Sequence, residues 1–153
     1  MEKISNLSTA VESREREISQ MYEQMHERGV TMIERDSIFE DILGFTPECI
    51  IYRENDPSRI LKIARESESL GQIVLQIVFL KGNLGHSVAM VIGPDTGRIL
   101  YKDSIGNPMP VELAQALEDD QWEVLDLSEP QQKMKYECVR LTAENLKKMT
   151  LLS

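Results

Sequence analysis

Four residues in the second half of the chain, His86, Asp103, Gln132 and Cys138, are of the types that acyl-transfer chemistry needs. A thiol is mostly protonated at neutral pH, and a neighbouring imidazole converts it to the reactive thiolate and holds it as an ion pair. A carboxylate on the far ring nitrogen fixes the imidazole's tautomer and steadies its charged form. The tetrahedral intermediate carries an oxyanion, and a glutamine side-chain amide is a suitable donor for it. Taken one at a time, each residue has an ordinary structural use. His86 can bond to backbone at a strand end, Asp103 before Ser104 can cap a turn, Gln131 and Gln132 can be solvated loop, and Cys138 can be a small buried apolar residue. The case for chemistry rests on the ordered set.

The elements that must position this set are readable from hydrophobic patterning. Residues 72–80 (QIVLQIVFL) are β-branched and apolar enough for a central strand, interrupted only by Gln76. Residues 86–92 predict the next strand, Pro94-Asp95-Thr96-Gly97 a turn, and residues 98–103 an antiparallel return. A hairpin folded there brings its open ends together, with His86 beginning one strand and Asp103 ending the other. A helix over 111–117 and a strand over 122–127 follow, and a last helix begins at or near Cys138, where the helix dipole favours a negative sulfur. Gln132 precedes it in a polar loop long enough to fold back over the thiol. Upstream, Ile50-Ile51-Tyr52 predicts a short strand, and Asp56-Pro57 starts a helix running to about Ser67. Asp36-Ser37 caps a short helix closed by Gly44. Ile4, Leu7, Val11, Ile18, Met21 and Met25 form the apolar stripe of an amphipathic helix over residues 6–28. His26 on that helix is given no role. The expected fold is α+β, an antiparallel-rich central sheet flanked by helices, with residues 1–45 a helical lead-in packed on a single unit over 46–153.

Composition removes several other classes of function. With 153 residues and 41% apolar content the chain forms one compact domain with a real core. A formal charge of −9 opposes a nucleic-acid groove, which needs clustered Lys and Arg. Two cysteines and two histidines, without metal-ligand spacing, make a metal site hard to assemble, and no Gly-rich phosphate loop occurs. No metal and no cofactor are expected. The longest apolar run is too short to span a bilayer and the N-terminus is polar, so a cytoplasmic, reducing environment is expected. Cys49 is assigned to strand packing, with a role as the reactive thiol the alternative.

Two segments carry a resemblance. The stretch from His86 to Gly106, HSVAMVIGPDTGRILYKDSIG, resembles the His-strand-turn-strand-Asp-Ser-x-Gly segment of the ubiquitin-like-protein proteases, the Ulp/SENP group of clan CE. The stretch from Glu129 to Cys138, EPQQKMKYEC, is similar to that family's Pro-Gln-Gln-x-x-x-x-(Asp/Glu)-Cys motif. The resemblance runs from about residue 72 to the C-terminus. It implies Cys138 as nucleophile, His86 as base, Asp103 as its orienting residue and Gln132, rather than Gln131, as the oxyanion donor. It implies a thiol hydrolase acting on ubiquitin or a ubiquitin-like modifier (a deubiquitinase or deSUMOylase) that cleaves after the C-terminal Gly-Gly. The family usually carries Trp where this chain has Ser87, lining the groove for that tail, and Gly where it has Val139. Ser87 and Val139 are therefore candidate substrate-contacting positions. Trp122 opens a strand and is a core residue or a replacement for the Trp absent at Ser87.

Two other readings stay open. An acyltransferase of the YopJ type resembles this clan in its His, acidic residue and Cys, and would load acetyl-CoA onto Cys138. A catalytically degenerate member would bind a modifier without cutting it. The short, divergent form fits a bacterial effector working in a host cytosol. Oligomeric state is not legible.

Overall fold

The computed structural model describes residues 32–53, 56–81, 84–132 and 137–152. The amphipathic helix expected over 6–28, and His26 with it, lie outside the described residues. The order of elements is α1 (Met32–Leu43), β1 (Glu48–Tyr52), α2 (Ser58–Leu70), β2 (Ile73–Lys81), β3 (Leu84–Gly93), β4 (Arg98–Lys102), α3 (Val111–Asp119), β5 (Glu123–Asp126) and α4 (Cys138–Met149). The fold is α+β, as the patterning predicts.

One five-stranded sheet runs in chain order, β1-β2-β3-β4-β5. The inner pairs β2–β3 and β3–β4 are antiparallel, while the outer pairs β1–β2 and β4–β5 are parallel. The sheet is mixed for a topological reason. A parallel neighbour needs a crossover, and each outer strand is joined to its partner through a helix, α2 or α3. The 94–97 turn needs no crossover and gives the hairpin.

Alternation along β3 divides the core into two layers. Val88, Met90 and Ile92 face α2 and α3, packing with Ile60, Ile63, Leu113, Leu117 and Tyr101. Ala89 and Val91 face α1 and α4, packing with Ile38, Phe39, Val139, Ala143 and Leu146. A strand covered on both sides must be apolar on both sides, which is why this segment has no polar alternation.

Several boundaries differ from expectation, two of them at helices that flank the first strand. Helix α1 begins at Met32 rather than at an Asp36-Ser37 cap. Glu34 in its first turn complements the helix dipole, and the Asp36 carboxylate accepts from Arg35 Nη1 at 2.8 Å instead of capping. Its end is as expected: Gly44, at φ +91°, donates back to Phe39 and Glu40 carbonyls. Helix α2 starts as Asp56-Pro57 predicts, the Asp56 carboxylate accepting the Ser58 N–H at 3.0 Å, and extends three residues past Ser67 to Leu70.

Candidate active site

The hairpin does what its turn requires. The β3–β4 ladder ends with Ala89 opposite Lys102, so Asp103 lies one step on, on the sheet face shared by Tyr101, Val88 and His86. His86 Nε2 and Asp103 Oδ1 meet at 2.7 Å. Asp103 is 3% exposed and is held from three sides. Its N–H donates to Ser128 Oγ at 2.9 Å, its Oδ1 also accepts the Ile105 N–H at 2.8 Å, and its carbonyl accepts from the Gly106 N–H at 3.1 Å. With Nε2 engaged by the carboxylate, Nδ1 is the ring nitrogen left for a nucleophile.

Cys138 is the first residue of α4 and is buried. Its helix packs on the opposite sheet face from His86, and its first turn reaches the end where β3 begins. There the thiol is near enough to influence the titration of the imidazole. Burial, the largest single influence on His86, works to lower its pKa. Hydrogen bonds with Asp103 and Cys138, and the charges on both, outweigh burial together and push it up to about 9 from 6.5. At neutral pH the ring is therefore an imidazolium, the form that pairs with a thiolate.

That shift links folding to pH. A pKa higher in the native than in the unfolded state means the native protein binds more protons, so the stabilisation is complete below pH 6.5 and is lost as pH rises through about 9. The His86 side chain is 21% exposed, and the shift corresponds to at most about 3 kcal/mol. Urea unfolding at pH 6 and at pH 9.5 should show the parent losing more stability than His86→Gln, by up to that amount. Equal losses would remove the coupling.

The loop that carries Gln132 is docked on the turn that carries Asp103. The Ser104 carbonyl accepts the N–H of Gln131 at 2.7 Å and of Gln132 at 3.0 Å. Ser104 Oγ donates to Gln132 Oε1 at 3.4 Å, which leaves Nε2 as the donor end of that amide. Gln131 and Asn145 on α4 exchange amide hydrogen bonds at 3.3 and 3.0 Å. One glutamine thus anchors the loop to α4, and the other presents its amide. Gly106 makes the docking possible: at φ +97° a Cβ there would lie 3.1 Å from Pro130, and the conformation itself disfavours any L side chain.

Other expected positions are placed as follows. A pocket of about 310 Å³ opens beside the imidazole, walled by Phe79, Ile105, Pro108 and Pro110, with Asp103 and Asn107 on its polar side. Ser87 is 2% exposed, on the opposite face of β3 from His86, and bonds Gln76 and Thr142. Val139 is buried in the α1–α4 layer. Neither side chain lines that pocket. Trp122 takes the core reading and not that of a replacement for the Trp absent at Ser87: it precedes Glu123, which pairs with Arg98 at the far end of β4. Strand rise puts it roughly 20 Å from Asp103 along the strand, where it packs with the α2–α3 core. Cys49 is half-buried on the edge strand β1, and burial pushes its thiol pKa up against the opposing charges of Arg35 and Arg59. Among the described residues no cluster of His, Cys, Asp and Glu suits a metal ion, and no helix is long and apolar enough to cross a membrane.

Sequence reasoning missed Ser104, Ser128, Asn145 and Thr142. Two signals were present. Thr142 lies one helical turn after Cys138, the spacing at which a hydroxyl bonds back to a carbonyl, and Asn145 lies two turns after it.

No protein-family model matches the chain, and no curated protein matches it. Solved structures do show similarity. The chain is 18% identical to the SUMO protease Ulp1 with its catalytic cysteine oxidised to a sulfinic acid, over 77% of this chain and 66% of that one, at a TM-score of 0.46. It is 17% identical to the C-terminal Ulp1 protease domain in complex with Smt3, the yeast ortholog of SUMO, over the same shares and at 0.45. Against the Ulp1-like SUMO protease catalytic domain of Chaetomium thermophilum it is 18% identical, over 76% of this chain and 57% of that one, at 0.37. The chain thus spans just under two thirds of the length of the first two and less of the third.

Proposed function

We propose that the chain is a thiol hydrolase of the ubiquitin-like-protease type, cleaving ubiquitin or a ubiquitin-like modifier after its C-terminal Gly-Gly. The observation that supports this reading is the His86–Asp103 hydrogen bond at 2.7 Å, with the Cys138 thiol near enough to influence the titration of the same imidazole. The modifier as substrate class follows from the resemblance of the His86–Gly106 and Glu129–Cys138 segments.

In the proposed reaction the Cys138 proton already rests on His86 Nδ1, leaving a thiolate, and Asp103 holds that imidazolium at Nε2. The thiolate attacks the glycine carbonyl carbon, and the Gln132 amide donates to the oxyanion that forms. Collapse expels the amine, which takes its proton from the imidazolium. A water then gives a proton to neutral His86 as its oxygen attacks the thioester carbonyl, releasing the modifier's carboxylate and the thiol.

The test uses the full chain with ubiquitin and SUMO bearing C-terminal electrophilic traps. An adduct at Cys138 that persists in Cys49→Ser and disappears in Cys138→Ala is expected. Absence of any adduct with every modifier would oppose the reading. The burial of Cys138, 6% exposed, favours a second reading, a non-cutting binding module. In that case modifier binding is equal in parent and Cys138→Ala and neither turns substrate over. Transfer of label from acetyl-CoA to a protein acceptor would identify the acyltransferase alternative.

A further inference from the structure

A line of buried polar side chains crosses the α1–α4 layer, among the apolar residues that fill it. Arg35 of α1 is 7% exposed, Gln76 of β2 and Ser87 of β3 2% each, and Thr142 of α4 1%. Burying such groups is unfavourable unless they are bonded to one another, and here they are bonded in sequence.

The donors along this line can be assigned without ambiguity. Thr142 Oγ1 donates to the Cys138 carbonyl at 2.6 Å. Its single proton is then used, so across the 2.8 Å contact Ser87 Oγ must be the donor and Thr142 the acceptor. Ser87 in turn accepts from Gln76 Nε2 at 3.0 Å, and Gln76 Oε1 accepts from Arg35 Nε. The guanidinium is further held by the Pro47 carbonyl at 2.7 Å and the Asp36 carboxylate at 2.8 Å. Every donor points the same way, from a fixed positive charge toward the backbone of the candidate nucleophile. Each bond polarises the next, so such a chain is stiffer than its separate links.

We propose that Arg35, Gln76, Ser87 and Thr142 form a positioning relay that locks the first turn of α4 to β3 and so fixes the Cys138 sulfur against the His86 imidazole. The proposal rests on Cys138 and His86 acting as a dyad. Its logic is adjacency: Ser87 follows the base on one strand, and Thr142 lies one turn from the nucleophile on the helix. A hydrogen bond between the two sets the distance between strand and helix at the place where the chemistry needs it. A side chain as large as Trp at Ser87 has no room in this layer, and a small hydroxyl at that position is what lets the relay pass.

The experiment is the pH profile of Cys138 alkylation by iodoacetamide, on the full chain in a Cys49→Ser background. No modifier substrate enters it. The parent should alkylate with a low-pH shoulder that marks the ion pair. Thr142→Val, which keeps the shape and removes the hydroxyl, should lower that shoulder about tenfold, the effect of one lost hydrogen bond. Thr142→Ser should restore it, and Ser87→Ala should lower it by a smaller factor. Ser87→Ala and Thr142→Ser decide the matter should Thr142→Val fail to fold. A parent shoulder that Ser87→Ala and Thr142→Val leave unchanged within twofold overturns the relay and spares the dyad. A parent with no shoulder overturns the dyad and the relay together.

Discussion

Asp103→Asn is expected to lower kcat on a cleavable modifier substrate by about 10³- to 10⁴-fold, with KM little changed. The reason lies in the double duty of Asp103 Oδ1, which accepts from both His86 Nε2 and the Ile105 N–H. If the asparagine oxygen keeps both bonds, the turn survives but the imidazolium loses its counter-charge, and the pKa that stands at about 9 falls. If the amide turns its nitrogen toward His86, Nε2 must become an acceptor and Nδ1 carries the proton. The ring then cannot take a proton from the thiol. Both outcomes act on the chemical step, so steady-state kinetics with a fluorogenic modifier conjugate should show the loss in kcat. A raised KM with kcat preserved would assign Asp103 to the turn alone.

Removing the Gln132 amide should have the next largest effect. Gln132→Ala is expected to reduce kcat by about 10²- to 10³-fold, the range for deleting one oxyanion donor. Iodoacetamide passes through no tetrahedral oxyanion, so Cys138 alkylation should stay at the parental rate. That contrast separates oxyanion stabilisation from thiol activation in one variant. Gln132→Ala with turnover within a few-fold of the parent would remove it from the reaction.

The parts of this architecture legible in the sequence are those fixed by near neighbours. Apolar, β-branched runs located β2, β3 and β4, Pro94–Gly97 located the turn, and the turn dictated that His86 and Asp103 meet. The contacts behind both uses weighed for Asp103, with a turn N–H and with an imidazole, are present on one carboxylate oxygen, which has two lone pairs to give. What could not be read depends on how remote elements pack. Thr142 and Ser87 are 55 residues apart and meet only because α4 settles on β3. Gln76 was visible as the polar break in an apolar strand, yet its partners come from α1 and β3, and no local pattern names them. Which of the two readings of Trp122 holds was hidden for the same reason. A strand-opening aromatic is visible in sequence, but which end of the sheet it occupies is decided by the direction of a parallel crossover.

The pairing of α1 with α4 over one face of the sheet bears on where this unit can be cut. Ile38 and Phe39 have no exposed surface, and they cover Ala89, Val91 and Leu146. A fragment starting at residue 46 would turn that surface toward water and strip the Gln76 carbonyl of its cationic donor. The segment that precedes the first strand is thus a wall of the interior rather than a removable preface, and the smallest self-sufficient piece begins no later than Met32.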